Sequence, residues 1–186
     1  FYGGPWIAMP KRERAELLID GETVTELDFG SLHPRMIYAI EGLPLEPLDD
    51  PYEVEGWTGQ ECRAWVKNAF VRLLNAGPTM RRTRPVDVQR IRGRRWKDVL
   101  DVVEQHHSRI GNWFRSGRGL ALQRLDSDIA ERVLLDMADR DVCCLPVHDS
   151  FLVPSSHSDT LRLSMTKAYQ EVMGEVCEEV DEPVIR

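Results

Sequence analysis

Val142-Cys143-Cys144-Leu145-Pro146-Val147-His148-Asp149-Ser150-Phe151-Leu152-Val153-Pro154 carries two short runs rich in Val, Leu and Phe on either side of a polar tip, His148-Asp149. That pattern predicts a β-hairpin with a carboxylate at its turn. Cys143 and Cys144 fall in the most apolar run and are expected as small buried hydrophobes. A second strand-like run, Glu22-Thr23-Val24-Thr25-Glu26-Leu27-Asp28-Phe29, also ends on an aspartate, just before Gly30. Its apolar residues do not keep strict parity, so a bulge or twist is expected. Two strands that each deliver one Asp to the same sheet edge can hold a divalent cation between them. Oxygen ligands suit Mg²⁺, which binds one or two carboxylates together with substrate phosphates. Asp28 and Asp149 are therefore the expected catalytic and metal-binding pair. The plainer alternative for either residue is ordinary turn chemistry, because Asp tolerates turn geometry and bonds its own backbone. A hydrolase triad from the contiguous His148-Asp149-Ser150 is excluded sterically. Strand neighbours point to opposite sides, so Ser150 cannot reach the far nitrogen of His148.

The 186 residues, 42% of them hydrophobic, suit one domain with a core of its own, or one domain with a small insertion. Nothing is long and apolar enough to span a membrane. The start, Phe1-Tyr2-Gly3-Gly4-Pro5-Trp6, has neither the basic nor the apolar region of a signal peptide. Cys62, Cys143, Cys144 and Cys177 form no C-x-x-C pair, which argues against structural zinc and for a reduced, cytoplasmic setting. The net charge of −7 counts against a simple nucleic-acid binder, but the charge is unevenly spread. Arg81, Arg82, Arg84, Arg90, Arg92, Arg94 and Arg95 crowd one segment that holds the single acid Asp87, and Lys97 follows. A basic segment on an acidic body fits local phosphate contact; a solvated loop and helix face would look the same.

Ahead of the hairpin the periodicity is helical. Lys11 to Ile19 is read as a short helix or an approach to a strand, and Asp20-Gly21 as a turn. Ser31 can cap a helix over 32–41, with Pro34 in its first turn and Gly42 ending it. A Pro-rich acidic loop covers 43–57. Thr58 and Glu61 have the spacing of a capping box for a helix to about Leu74. Arg63 and Lys67, four apart, share one face of it. Further helices are expected over 95–110, 120–140 and 159–176, with a last short strand at Pro183-Val184-Ile185. His106 and His107 are adjacent, on different helix faces, and make a poor metal pair. The order implies an α+β fold, a small antiparallel sheet with helices packed on one face.

These motifs resemble the palm of template-dependent nucleic-acid polymerases, chiefly family A DNA polymerases and phage-type single-subunit RNA polymerases. Glu26-Leu27-Asp28-Phe29-Gly30-Ser31-Leu32-His33-Pro34 is similar to the first conserved motif of DNA polymerases, its wording closest to family B. Arg63-x-x-x-Lys67 followed by Asn75-Ala76-Gly77 resembles the fingers helix. Gln123 and Asp128-Ile129 resemble the helix before the last motif, and Val147-His148-Asp149-Ser150-Phe151 resembles that last motif. Phe1-Tyr2-Gly3 is similar to the tail of a segment of the RNA polymerases.

The resemblance implies a single palm-like domain over residues 1–186 with a reduced fingers-like insertion at about 58–118. It implies nucleotidyl transfer with two Mg²⁺ ions, or Mn²⁺ in their place, about 3.5–4 Å apart. Asp28, Asp149 and the Phe29 carbonyl would be their ligands. Arg63, Lys67, His33 and Asn75 would meet the nucleoside triphosphate. Gln123, His148, Arg81, Arg82 and Arg84 would meet the primer–template. His33 stands where related polymerases sense the sugar 2′-position; its ring favours deoxynucleotides, whereas Ser150-Phe151 points to RNA synthesis. A bacterial or phage-encoded replication protein is implied, with an accessory protein supplying thumb or primase function. The pattern departs from the families in its short fingers, in Asn75 where Tyr is usual, and in Ser150 where family A carries Glu. Two other readings stay open: a non-catalytic palm remnant that binds nucleic acid, and a metal-dependent nuclease recruiting Glu26 or Asp128 as a further acidic ligand.

Overall fold

The computed structural model describes residues 4–45, 49–77 and 95–186. Contacts divide the chain into two compact units, Phe1–Gly42 with Arg124–Arg186, and Leu43–Gln123. Arg81, Arg82 and Arg84, with the rest of the arginine-rich stretch before Arg95, lie outside the described residues.

The first unit is built on a four-stranded antiparallel sheet of order β1-β2-β4-β3. The strands are β1 (Leu18–Ile19), β2 (Glu22–Asp28), β3 (Leu145–Val147) and β4 (Ser150–Pro154). β1 is the strand whose existence the sequence leaves undecided. Asp20 and Gly21 both take positive φ, 53° and 83°, so the Asp-Gly pair closes a tight hairpin that seats Ile19 opposite Glu22. The short helix α1 (Lys11–Arg14) precedes it, so Lys11 to Ile19 holds both of the expected alternatives.

The hairpin at His148-Asp149 forms as expected, with Val147 opposite Ser150 across a two-residue turn. Its first strand is shorter than the apolar run suggests. Pairing begins at Leu145, leaving Cys143 exposed and Cys144 only partly covered, which corrects the expectation of two buried strand cysteines. Burial still pushes the Cys144 thiol up to about 12, with Cys143 adding to the shift, so it is no thiolate nucleophile. All five residues of β4 are buried. That is why this strand reads as a continuous apolar run rather than an alternating one.

Helix α2 (Leu32–Ile40) leaves the end of β2 through Gly30-Ser31, and α6 (Ser158–Gly174) packs on β2 and β4. Phe29 meets Tyr169 of α6 with ring centroids 6.1 Å apart. Met36, Ile37, Leu152, Leu161 and Met165 are fully buried in this core. The fold class is thus α+β, with helices against a small antiparallel sheet.

The second unit is helical: α3 (Gln60–Asn75) against α4 (Trp96–His106), followed by a 3₁₀ segment over Ser108–Trp113 and the start of α5 (Gly119–Asp139). Its core is aromatic. Phe70 takes edge contacts from Tyr52, His107 and Phe114 at 5.8, 5.0 and 5.3 Å. α3 starts at Gln60 with Gly59 at the N-cap, so the expected Thr58–Glu61 capping box does not form. The reciprocal carboxylate contact appears instead at α4, where Asp98 Oδ2 accepts the Arg95 N–H at 3.0 Å. Among the described residues, no helix is long and apolar enough to cross a membrane.

Candidate active site

The two aspartates meet at one end of the sheet. β2 pairs with β4 so that Asp28 lies opposite Ser150, and the Phe29 N–H donates to the Asp149 carbonyl at 3.1 Å. Asp28 ends β2, and Asp149 stands in the adjoining hairpin turn, one register step away. From a strand spacing of about 4.8 Å and a rise of about 3.4 Å, their Cα atoms are roughly 6 Å apart. Both are partly exposed, and His148 beside them is exposed. His148 takes φ 54°, a left-handed conformation that non-glycine residues adopt at a cost. It is the first loop position of a two-residue hairpin that demands this.

The other turn at this end is equally constrained. Ser31 occupies the N-cap position of α2, but with φ 55° and no capping hydrogen bond from its side chain. Its left-handed backbone makes the corner, rather than its hydroxyl. The Arg35 Nε donates to the Gly30 carbonyl at 3.2 Å and braces the same corner.

Glu26 shares the sheet face of Asp28, two residues along the strand. It belongs to a network that the sequence did not disclose. Nε and Nη2 of Arg14 donate to its two oxygens at 3.0 and 2.8 Å, and Nη1 donates to the Met9 carbonyl at 2.7 Å. The Ser150 hydroxyl lies 3.1 Å from Glu26 Oε1 and 2.9 Å from the Val147 carbonyl, and shares its one proton between them. Burial alone would raise the Glu26 carboxyl. The Arg14 fork and the Ser150 hydroxyl outweigh it and hold the group below the usual carboxylate range. Ser150 thus ties the turn that bears Asp149 to the strand that bears Asp28. Glu26, with both oxygens on Arg14, is a structural anion rather than a spare metal ligand. Asp128 accepts at both oxygens from a single nitrogen, Arg124 Nε, at 2.9 and 3.0 Å, in an exposed pair one helical turn long. Glu26 does not offer the free acidic ligand that the nuclease reading asks of it, whereas the exposed Arg124 pair holds Asp128 only weakly. Among the described residues, no group of three or more His, Cys, Asp or Glu side chains could hold a metal.

His33, in the first turn of α2, places Nε2 3.4 Å from Asp126 Oδ2 on α5, and both side chains are partly exposed. Within the helical unit, Arg63 forks the Asp50 carboxylate, and its guanidinium stands 5.3 Å from the centroid of the Tyr52 ring. The Lys67 ammonium is 5.9 Å from the same ring. The shared face expected of these two cations is thus formed over Tyr52, with Asp50 as a carboxylate partner absent from the sequence reading. Asn75 and Gln123 also come together, the Gln123 amide donating to Asn75 Oδ1 at 3.3 Å. Gly119 allows this approach, because a Cβ there would stand 2.8 Å from Asn75 Oδ1 and 3.0 Å from the Leu74 carbonyl. His107 is a core residue. It is 1% exposed, bonded to the Pro51 carbonyl at 2.9 Å, and pushed down to about 4 by burial and, secondarily, by His106.

No family model matches the chain, and no curated protein matches it in sequence.

Proposed function

We propose that the chain is a palm-like, template-directed nucleotidyltransferase whose reacting centre is the Asp28–Asp149 end of the sheet. The observation that carries this reading is the register: the carboxylate residue at the end of β2 and the one in the hairpin turn, far apart in sequence, fall one register step apart at the same end of the sheet. The order of the motifs along the chain supports it. The donor set fits a divalent cation of the Mg²⁺ or Mn²⁺ kind, which needs only one or two protein carboxylates and takes its remaining ligands from phosphate and water. Asp28 and Asp149, with the Phe29 carbonyl, would hold it. When bound, it would neutralise charge on the phosphates and acidify the attacking hydroxyl.

The chain's own residues divide the remaining work. The Arg14–Glu26–Ser150 network keeps the Asp149 turn seated on β2, so the two carboxylates keep their spacing as substrate arrives. Arg63 and Lys67, steadied over Tyr52, offer fixed positive charge to a triphosphate; in this reading the triphosphate displaces Asp50 from Arg63. His33, oriented by Asp126, meets the sugar. Gln123 and His148 orient the primer end, and the arginines of 81–84 follow the template. The substrates are nucleoside triphosphates on a nucleic-acid primer–template. The histidine ring at 33 favours deoxynucleotides and thus DNA synthesis, with RNA synthesis or priming as the alternative. An accessory protein would supply the thumb.

Primer extension tests this directly. A labelled primer–template with Mg²⁺ or Mn²⁺ should be lengthened, with deoxynucleotides and ribonucleotides assayed in parallel. Asp28→Asn and Asp149→Asn should each lower the rate by at least about a thousandfold while leaving the fold intact. Extension that persists in either variant refutes the assignment. Strand degradation in the absence of nucleotides would point to the nuclease instead.

A further inference from the structure

The segment Val184–Arg186 completes the sheet beside Asp28. The Asp28 N–H donates to the Arg186 carbonyl at 2.9 Å, and the Arg186 N–H donates back to the Asp28 carbonyl at 3.0 Å. The Gly30 N–H donates to the Val184 carbonyl at 2.7 Å. Residues that exchange both bonds stand directly opposite in an antiparallel ladder, and their side chains leave the same face. Asp28 is also opposite Ser150 on its other side. Ser150, Asp28 and Arg186 therefore form one row across three chain segments, on the face that carries the candidate carboxylate.

Arg186 does not spend its charge on that carboxylate. Among the described residues, no ion pair engages its guanidinium. Its side chain runs over Gly30, where a Cβ would stand 3.2 Å from Arg186 Nε and 3.0 Å from Val184 Cγ1. The absence of a side chain at Gly30 is what lets the arginine lie there. The segment is also held from α6, where Arg162 Nη1 donates to the Ile185 carbonyl at 2.9 Å. An exposed guanidinium on a backbone held beside Asp28, with no ion-pair partner among the described residues, suits an anion with planar pairs of oxygens.

We infer that Arg186 is a phosphate-binding residue of the Asp28 face, engaging either the triphosphate of the incoming nucleotide or a backbone phosphate of the primer–template. The inference deepens the polymerase reading and rests on it for the identity of the ligand. The segment's place comes from the backbone pairing, so replacing the side chain leaves its three backbone hydrogen bonds to Asp28 and Gly30 in place.

Anion binding tests it separately from catalysis. Wild type, Arg186→Ala, Arg186→Lys and, as a remote control, Arg140→Ala are titrated with tripolyphosphate and with a fluorescein-labelled primer–template, without nucleotide. Arg186→Ala should weaken one of the two by about tenfold. If that one is the primer–template, the plot of log affinity against log salt should lose about one unit of slope. Arg186→Lys should restore the slope but only part of the affinity, since it keeps the charge without the fork. Arg140→Ala should match wild type. Weakening for tripolyphosphate alone assigns the nucleotide, and weakening for the duplex alone assigns the primer–template. Equal affinities in wild type and Arg186→Ala for both ligands, or no binding of either by wild type, overturns the inference. The polymerase reading is judged independently, by extension in the wild type and in Asp149→Asn.

Discussion

Replacing Arg14 with Met should weaken the acid response that Glu26 gives the first unit. Arg14 and Glu26 leave only 10% and 11% of their side chains exposed. Met keeps much of the arginine's bulk but none of its charge, so Glu26 is left covered, with only the Ser150 hydroxyl at 3.1 Å and the exposed Lys11 ammonium at 4.0 Å. Breaking a buried pair in this way costs about 3 kcal/mol, taken at the low end because the pair lies at the rim of the core. In the wild type the folded-state Glu26 titrates below its unfolded value. Its contribution is therefore complete above the unfolded carboxylate range and is lost as the pH falls through the folded value. Arg14 is the strongest of the groups that hold the carboxyl down against burial, so removing it moves Glu26 upward from its wild-type position. The variant's penalty is then full at neutral pH and is relieved as acidification protonates Glu26. Urea unfolding at pH 7 and pH 5 measures this. The gap between wild type and Arg14→Met should narrow by at least about 1 kcal/mol at the lower pH, and Glu26→Gln in the Arg14→Met background should abolish the narrowing. A gap that stays constant with pH would show that Arg14 does not set the Glu26 charge, and the staple of the Asp149 turn would lose its basis.

His107 should make the helical unit acid-sensitive. Its folded value of about 4 lies below the unfolded 6.5, so the unfolded chain takes up the proton first and stability declines as the pH falls from 6.5 towards 4. The full span is about 3 kcal/mol, and His107→Gln, which keeps a donor for the Pro51 carbonyl, should flatten the pH dependence of the urea midpoint. Gly119→Ala should cost about 1–3 kcal/mol, because the new methyl meets the Leu74 carbonyl and Asn75 Oδ1 inside contact distance. Thermal melting checks this, and an unchanged midpoint would mean the start of α5 yields freely.

The hairpin at His148-Asp149, the strand ending on Asp28 and most of the helices were legible in the sequence because each rests on local rules. Apolar runs, turn residues and helical spacing act over a few residues, and the chain obeys them wherever nothing distant overrides them. The strand over 18–19 stayed one of two alternatives because its length is two residues, too short for any period to register. Cys143 and Cys144 were misplaced for the opposite reason: an apolar run continues past the point where partners for pairing run out.

The sequence by itself determined which carboxylates, cations and turns this protein owns, and which of them lie four apart on a helix or at the tip of a hairpin. Only the tertiary structure decided which charges are already engaged. Arg14 reaches Glu26 across a hairpin, Asp50 reaches Arg63 from a loop, and Arg186 arrives beside Asp28 from the far side of α6. Pairings of this kind depend on sheet register and helix packing, which sum many weak contacts distant in sequence, so no local pattern announces them.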